Sequence, residues 1–189
     1  MQMKLLRLEK VKDGKYLKNY ELTYLNKAGR EKTYEIVSRR ELKNASDLGK
    51  NPSGISIVAT CNDKLLLLRE FRMGINQSVF NLCAGMLEED ETLETCIERE
   101  LYEETGLKLK KIKRILPASY AAVAISDLKT YIVFAEVEGE LGDDHTSPNE
   151  EIKAGLYSRE EVAELLETEE FSSRAQMAAY FFSIGASPI

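Results

Sequence analysis

The sequence has little of what soft-metal and redox sites are built from. It holds three cysteines, Cys61, Cys83 and Cys96, an odd number at unrelated spacings with no CxxC pair. That pattern argues against a structural zinc site. Each thiol is expected to be a small buried apolar group in a reducing cytosol. The single histidine, His145, lies in the polar stretch Gly142-Asp143-Asp144-His145-Thr146, without a second histidine to act beside it. It is expected to be solvated. Apolar runs are short, Leu65 to Leu68 being typical, and none could span a bilayer. The N-terminus does not read as a secretory leader, because Lys4, Arg7, Glu9, Lys10 and Lys12 interrupt it. A basic surplus is missing as well. The formal net charge is −6, so neither nucleic acid nor a membrane is the expected partner. The cytoplasm is the expected location.

What is present is the composition of a globular protein: 189 residues, 43% hydrophobic and 31% charged. This suits one α+β domain with an added N-terminal element. Tyr20, Leu22 and Tyr24 alternate with polar residues, Asn26 to Gly29 supplies turn chemistry, and Thr33 to Val37 is β-rich. A hairpin follows. Asn44 to Gly54 reads as a linker, and Ile55–Thr60 with Lys64–Arg69 as a second hairpin turning at Asn62-Asp63. Further strands are expected over Ile112–Leu116 and Thr130–Val137, and a polar loop over Gly139–Glu150. Ser158 and Glu161 form a capping box opening a helix to about Glu167, and Ser172–Ser183 reads as a last amphipathic helix. Its Met177, Ala178, Phe181 and Phe182 are read as packing residues.

The segment Gly85 to Leu107 carries the chemistry. Thr92 suits an N-cap and Gly106 a left-handed stop, so a helix spans 92–105. With Leu93 placed at zero and roughly 100° per residue, Ile97 falls near 40° and Leu101 near 80°. On the same count Glu100 falls at about 340°, Glu104 at about 20° and Glu103 at about 280°. Two carboxylates therefore flank the stripe that should face the core, with a third beside them. Buried acidic groups that repel one another are costly, and a hard divalent cation shared with phosphate resolves the conflict. Arg99, four residues before Glu103, can pair with it.

Gly85, Glu91, Arg99, Glu100, Leu101, Glu103, Glu104, Gly106 and Leu107 fill every defined position of the pattern G-x5-E-x7-R-E-U-x-E-E-x-G-U, with U aliphatic. The chain thus resembles the Nudix hydrolases. The resemblance implies an α/β/α sandwich around a mixed sheet, here with an N-terminal β-hairpin extension. It also implies Mg²⁺, or Mn²⁺, held by Glu100, Glu103 and Glu104, with Gly85, Glu91 and Arg99 supporting the geometry. Water would attack one phosphorus of a diphosphate linkage.

The flanking segments resemble the ADP-ribose pyrophosphatase branch. Leu67 to Arg72 looks like its strand ending in an arginine-aromatic-arginine element. Leu82 to Met86 looks like the approach to the box, where the Ala84 carbonyl can join the metal shell. Ser147 to Ile152 resembles an acidic loop that supplies a general base or further ligand, best matched by Glu150. Arg69 and Arg72 are candidates for phosphate or ribose contact, against a solvated strand end. Phe71 is a candidate for base stacking, against ordinary core packing. The resemblance further implies a homodimer built through residues 1–50, with the hydrolase domain over 51–189.

Two features depart from the branch: Tyr120 to Ala124 lacks a Ser-Pro-Gly-like turn, and Cys83 stands where proline is common. The substrate is therefore left open between ADP-ribose and other nucleotide sugars, giving a nucleoside monophosphate and a sugar phosphate. Glu104, Glu103 and Glu150 are the expected catalytic carboxylates. The alternatives are a non-catalytic nucleotide-sugar sensor of the same fold and a nucleoside triphosphate pyrophosphohydrolase.

Overall fold

The computed structural model describes residues 2–142 and 149–186. His145, Ser147 and Pro148 lie outside the described residues. The chain forms two compact units, Met1–Ser53 with Ala118–Thr130, and Gly54–Pro117 with Tyr131–Ile189.

The first unit contains an antiparallel sheet of β1 (Lys4–Asp13), β2 (Lys18–Leu25) and β3 (Glu31–Ser38). The expected hairpin is β2–β3, turned by Asn26, whose side-chain carbonyl accepts from Ala28 and Arg30 N–H. β1 lengthens it to a three-stranded meander. Tyr20, Leu22, Ile36 and Leu42 form the core of this unit. The Tyr20 hydroxyl accepts from Leu42 N–H at 2.8 Å. The linker holds one short 3₁₀ turn, Ala45–Asp47, closed by a capping box between Asn44 and Asp47.

The second unit is built on a seven-stranded mixed sheet. The path runs β10 (Ile152–Tyr157), β5 (Lys64–Arg72), β4 (Gly54–Cys61), β9 (Lys129–Glu138) and β8 (Lys108–Tyr120). β4 and β5 meet at an Asn62-Asp63 turn in which both residues have positive φ, 47° and 61°, the geometry of a tight hairpin. They pair only through Thr60–Leu65 and Cys61–Lys64. Beyond that, β6 (Gln77–Asn81) lies along β5 and β7 (Cys83–Met86) lies along β4. The two short strands thus fill the wedge where the hairpin opens.

Helices cover both faces, as an α/β/α sandwich requires. α1 (Leu93–Thr105) packs its Ile97 and Leu101 on Ile55, Ile57, Leu66, Leu68 and Val133. α2 (Arg159–Thr168) and α3 (Ser173–Ser183) place Val162, Ala175 and Ala179 on Val58, Leu65, Leu67 and Phe80. Alternate residues of each central strand therefore enter opposite cores, which explains why Leu65 to Leu68 is apolar without a break. Helix ends match their caps: Thr92 accepts from Thr95 N–H, Ser158 from Glu161 N–H and Ser172 from Ala175 N–H. α1 stops at Gly106, whose φ of 73° favours a residue without a side chain.

β6, β7 and β10 were not anticipated. Each is four to six residues long and contains polar or small residues, too short for alternation to show. Among the described residues no helix is long and apolar enough to cross a membrane.

Candidate active site where α1 meets β7

β7 supplies the floor of the site. Its residues Cys83 to Met86 are met one after another by side chains from α1. The Glu104 carboxylate accepts the Ala84 N–H at 3.1 Å. The Glu100 carboxylate lies directly against Gly85, where an added Cβ would come within 1.6 Å of Oε1. Arg99 donates to the Met86 carbonyl at 3.0 Å. Gly85 is therefore required by close approach, since any larger residue would occupy the space of a carboxylate.

Arg99 is the hub of this contact. Its guanidinium donates to both oxygens of Glu91, at 2.8 and 2.9 Å, to Glu100 at 2.8 Å and to Glu103 at 3.3 Å. Glu91 in turn accepts from Glu88 N–H at 3.0 Å, tying down the loop before α1. Forked pairing of this kind fixes orientation as well as charge.

The three helix carboxylates are not equivalent. Glu100 is buried, with 8% of its surface exposed, and Glu104 is partly buried. Glu103 is exposed and turned toward Arg99. Among the described residues no three acidic, histidine or cysteine side chains converge on one point. Glu100 and Glu104 come together on β7; Glu103 does not join them. Glu150 is exposed, two residues before Ile152, the residue that pairs with Glu70 on β5.

β5 divides the remaining candidates between its two faces. Leu66 and Leu68 point into the α1 core, so Glu70 and Arg72 continue that face by the two-residue repeat. Arg69 and Phe71 belong to the opposite face. Arg69 is held there by Glu169 at 2.6 Å and lies over the Phe80 ring at 5.9 Å. The strand thus brings Arg72 to the α1 face and turns Arg69 and half-buried Phe71 to the other.

The NUDIX domain profile matches residues 50–181. The chain belongs to the Nudix family. It is 27% identical over 137 residues to a Mus musculus ADP-sugar pyrophosphatase, covering 70% of this chain and 60% of that protein. It is 30% identical over 91 residues to a Bacillus subtilis (strain 168) ADP-ribose pyrophosphatase, covering 48% of this chain and 49% of that protein. The chain therefore spans only about half to three fifths of these relatives. A solved structure titled an ADP compounds hydrolase superposes with a TM-score of 0.74 at 22% identity, covering 99% and 98% of the two chains.

Charge in this Nudix site is distributed unevenly. The Arg99 hydrogen bonds hold Glu91 down to about 2. Glu100 is pushed upward by desolvation, against the pull of Arg99. Glu104 is pushed up to about 8, again by desolvation first, with the Glu100 and Glu70 charges adding to it. The free cysteines are buried as expected. Burial raises the Cys83 thiol well above its usual range and the Cys96 thiol to about 12.

Two residues beside the site were missed from the sequence. Glu70 carries an ion pair to Arg72 and accepts the Asn81 side-chain N–H at 2.9 Å. Strand alternation from Leu66 and Leu68 could have placed Glu70. Nothing local could have placed Asn81, because β6 was not recognised.

Gly85→Ala is expected to displace the Glu100 carboxylate while leaving the fold standing, since the clash is with the end of a flexible side chain. Thermal unfolding should show a loss of roughly 1–3 kcal/mol. An unaltered melting temperature would contradict the placement.

The Glu91–Arg99 pair sets a pH dependence. A carboxyl lowered from 4.5 to about 2 stabilises the fold above the unfolded value and loses that contribution as pH falls toward 2. Glu91→Gln should therefore melt well below the unaltered chain at pH 7, and the gap should narrow steadily as pH falls from about 5 to 3. A gap of constant size over that range would rule the pair out as its source.

Proposed function

We propose that this chain is a Mg²⁺-dependent pyrophosphohydrolase, able to use Mn²⁺, that cleaves an ADP-ribose-like or other nucleotide-sugar substrate into a nucleoside monophosphate and a sugar phosphate. One observation carries the reading: in a Nudix chain, Glu100 and Glu104 are turned inward onto the backbone of β7. An ionised carboxylate out of water costs several kcal/mol, and the N–H of Ala84 at 3.1 Å offsets little of it for Glu104. The names of the mouse and Bacillus relatives, an ADP-sugar and an ADP-ribose pyrophosphatase, support the substrate class.

The donors fit a hard cation. Glu100, Glu104 and the Ala84 carbonyl offer oxygen, the ligand type that Mg²⁺ prefers. Glu103, half-exposed and held by Arg99 at 3.3 Å, is free to swing to the same shell, and Glu150 is the further acidic group for it. When bound, the cation supplies positive charge that offsets the diphosphate and stabilises the leaving oxygen.

The chain's own residues do the rest. Arg72 binds diphosphate oxygens on the α1 face of β5. Glu150 takes the proton of the attacking water as the new P–O bond forms and the bridging P–O bond breaks. Arg99 and Glu91 keep Glu100 aimed at β7. The protein works in the cytoplasm as a homodimer in which residues 1–50 make the contact. Exposed Leu6, Val11, Tyr16 and Leu17 in that region support the contact.

Phosphate release, measured with a coupled phosphomonoesterase over a panel of nucleotide sugars and triphosphates, tests the reading. Mg²⁺-dependent turnover of at least one nucleotide sugar is expected, abolished by chelation. Glu104→Gln should lower kcat roughly 100-fold or more with the fold retained. Turnover of triphosphates alone, ligand binding without turnover, or full activity in Glu104→Gln would each refute it. Light scattering should give twice the chain mass, reduced to one by charged substitutions at Leu6 and Val11; a monomeric unaltered protein would refute the dimer.

A further inference from the structure

Glu70 occupies the one place on β5 where the strand's α1 face passes from core to open site. Leu66 and Leu68 before it are fully buried, the Glu70 side chain is 12% exposed, and Arg72 after it is 56% exposed. A carboxylate at such a boundary needs its oxygens satisfied. Both are: one pairs with the Arg72 guanidinium and the other accepts from Asn81 at 2.9 Å.

Asn81 is itself fixed. It stands opposite Leu68 on β6, a diagonal neighbour of Glu70 on the same face. Its side-chain oxygen accepts the Leu82 N–H at 3.0 Å and the Ser172 hydroxyl at 2.7 Å. A backbone N–H can only donate, so the amide must present its oxygen there and its nitrogen to Glu70. Ser172 is the N-cap of α3. A chain of hydrogen bonds thus runs from a helix cap, through Asn81, to a partly buried acid, and ends on an exposed arginine.

We propose that Glu70 is a positioning residue, clamped by Asn81, that holds the Arg72 guanidinium over the α1 face of β5 for a substrate diphosphate. The proposal rests on the pyrophosphohydrolase reading above. The arrangement has a physical purpose that a surface ion pair lacks. A long, flexible arginine on the same face of the sheet as the inward carboxylates Glu100 and Glu104 is otherwise free to reach for them and for the place of a cation. Glu70 gives it a nearer partner and removes most of its rotamer freedom before substrate arrives. The Glu70 charge also reaches the site, since it adds to the upward push on Glu104.

The test is a double-mutant cycle on the full-length protein with Glu70→Gln, Arg72→Ala and the pair, using the nucleotide sugar that the panel identifies. Glu70→Gln should raise KM ~10-fold and leave kcat within ~3-fold, and the double variant should be no worse than Arg72→Ala alone. Thermal melts establish that each variant is folded. Multiplying effects, or a fall in kcat with KM unchanged, would overturn the positioning role while leaving the hydrolase reading intact. Should the unaltered protein hydrolyse nothing, that reading fails by itself. The same cycle is then read as calorimetric Kd for ADP-ribose with Mg²⁺. Non-additive losses support the clamp; additive losses, or no binding by the unaltered protein, overturn it.

Discussion

The structure around the site depends on one close approach, α1 against the backbone of β7. Glu100 and Glu104 share the helix face that also buries Ile97 and Leu101, so the packing that stabilises the helix also forces two acids inward. Gly85 makes room for one of them and the Ala84 N–H meets the other. Arg99 offsets the remaining charge by holding Glu91, Glu100, Glu103 and the Met86 carbonyl together. No single pair would suffice, because burying an acid with one partner leaves most of its hydration unreplaced.

The sheet makes that approach available. β4 and β5 separate soon after their turn, and β6 and β7 lie in the gap. Central-strand side chains lie beneath Ile97 and Leu101, and the wedge adds the backbone of β7, whose N–H and carbonyl groups meet charged side chains of α1. The same opening leaves the end of β5 free to carry Glu70 and Arg72 on the α1 face, with Arg69 and Phe71 on the other.

This division sorts the chemistry. On the α1 side lie the inward carboxylates, the Glu70–Arg72 pair and the Asn81 link. On the far side, Arg69, Phe80 and Glu169 tie β5 to the end of α2. Membership of the Nudix family fits the first face, and the second joins β5 to the α2–α3 core.

The helix at 92–105, its caps, the Asn62-Asp63 turn and the inward set of Glu100 and Glu104 were all legible in the sequence. Each depends on residues within a few positions of one another, and helical or strand periodicity converts spacing directly into direction. The short strands β6, β7 and β10 were not legible, since a few residues carry too little pattern. Nor was the separation of Arg69 from Arg72, or the clamp on Glu70. Those depend on which face of β5 meets α1 and on partners such as Asn81 and Glu169, far away along the chain. Local spacing sets where a side chain points; only the packing of distant segments decides what it finds there.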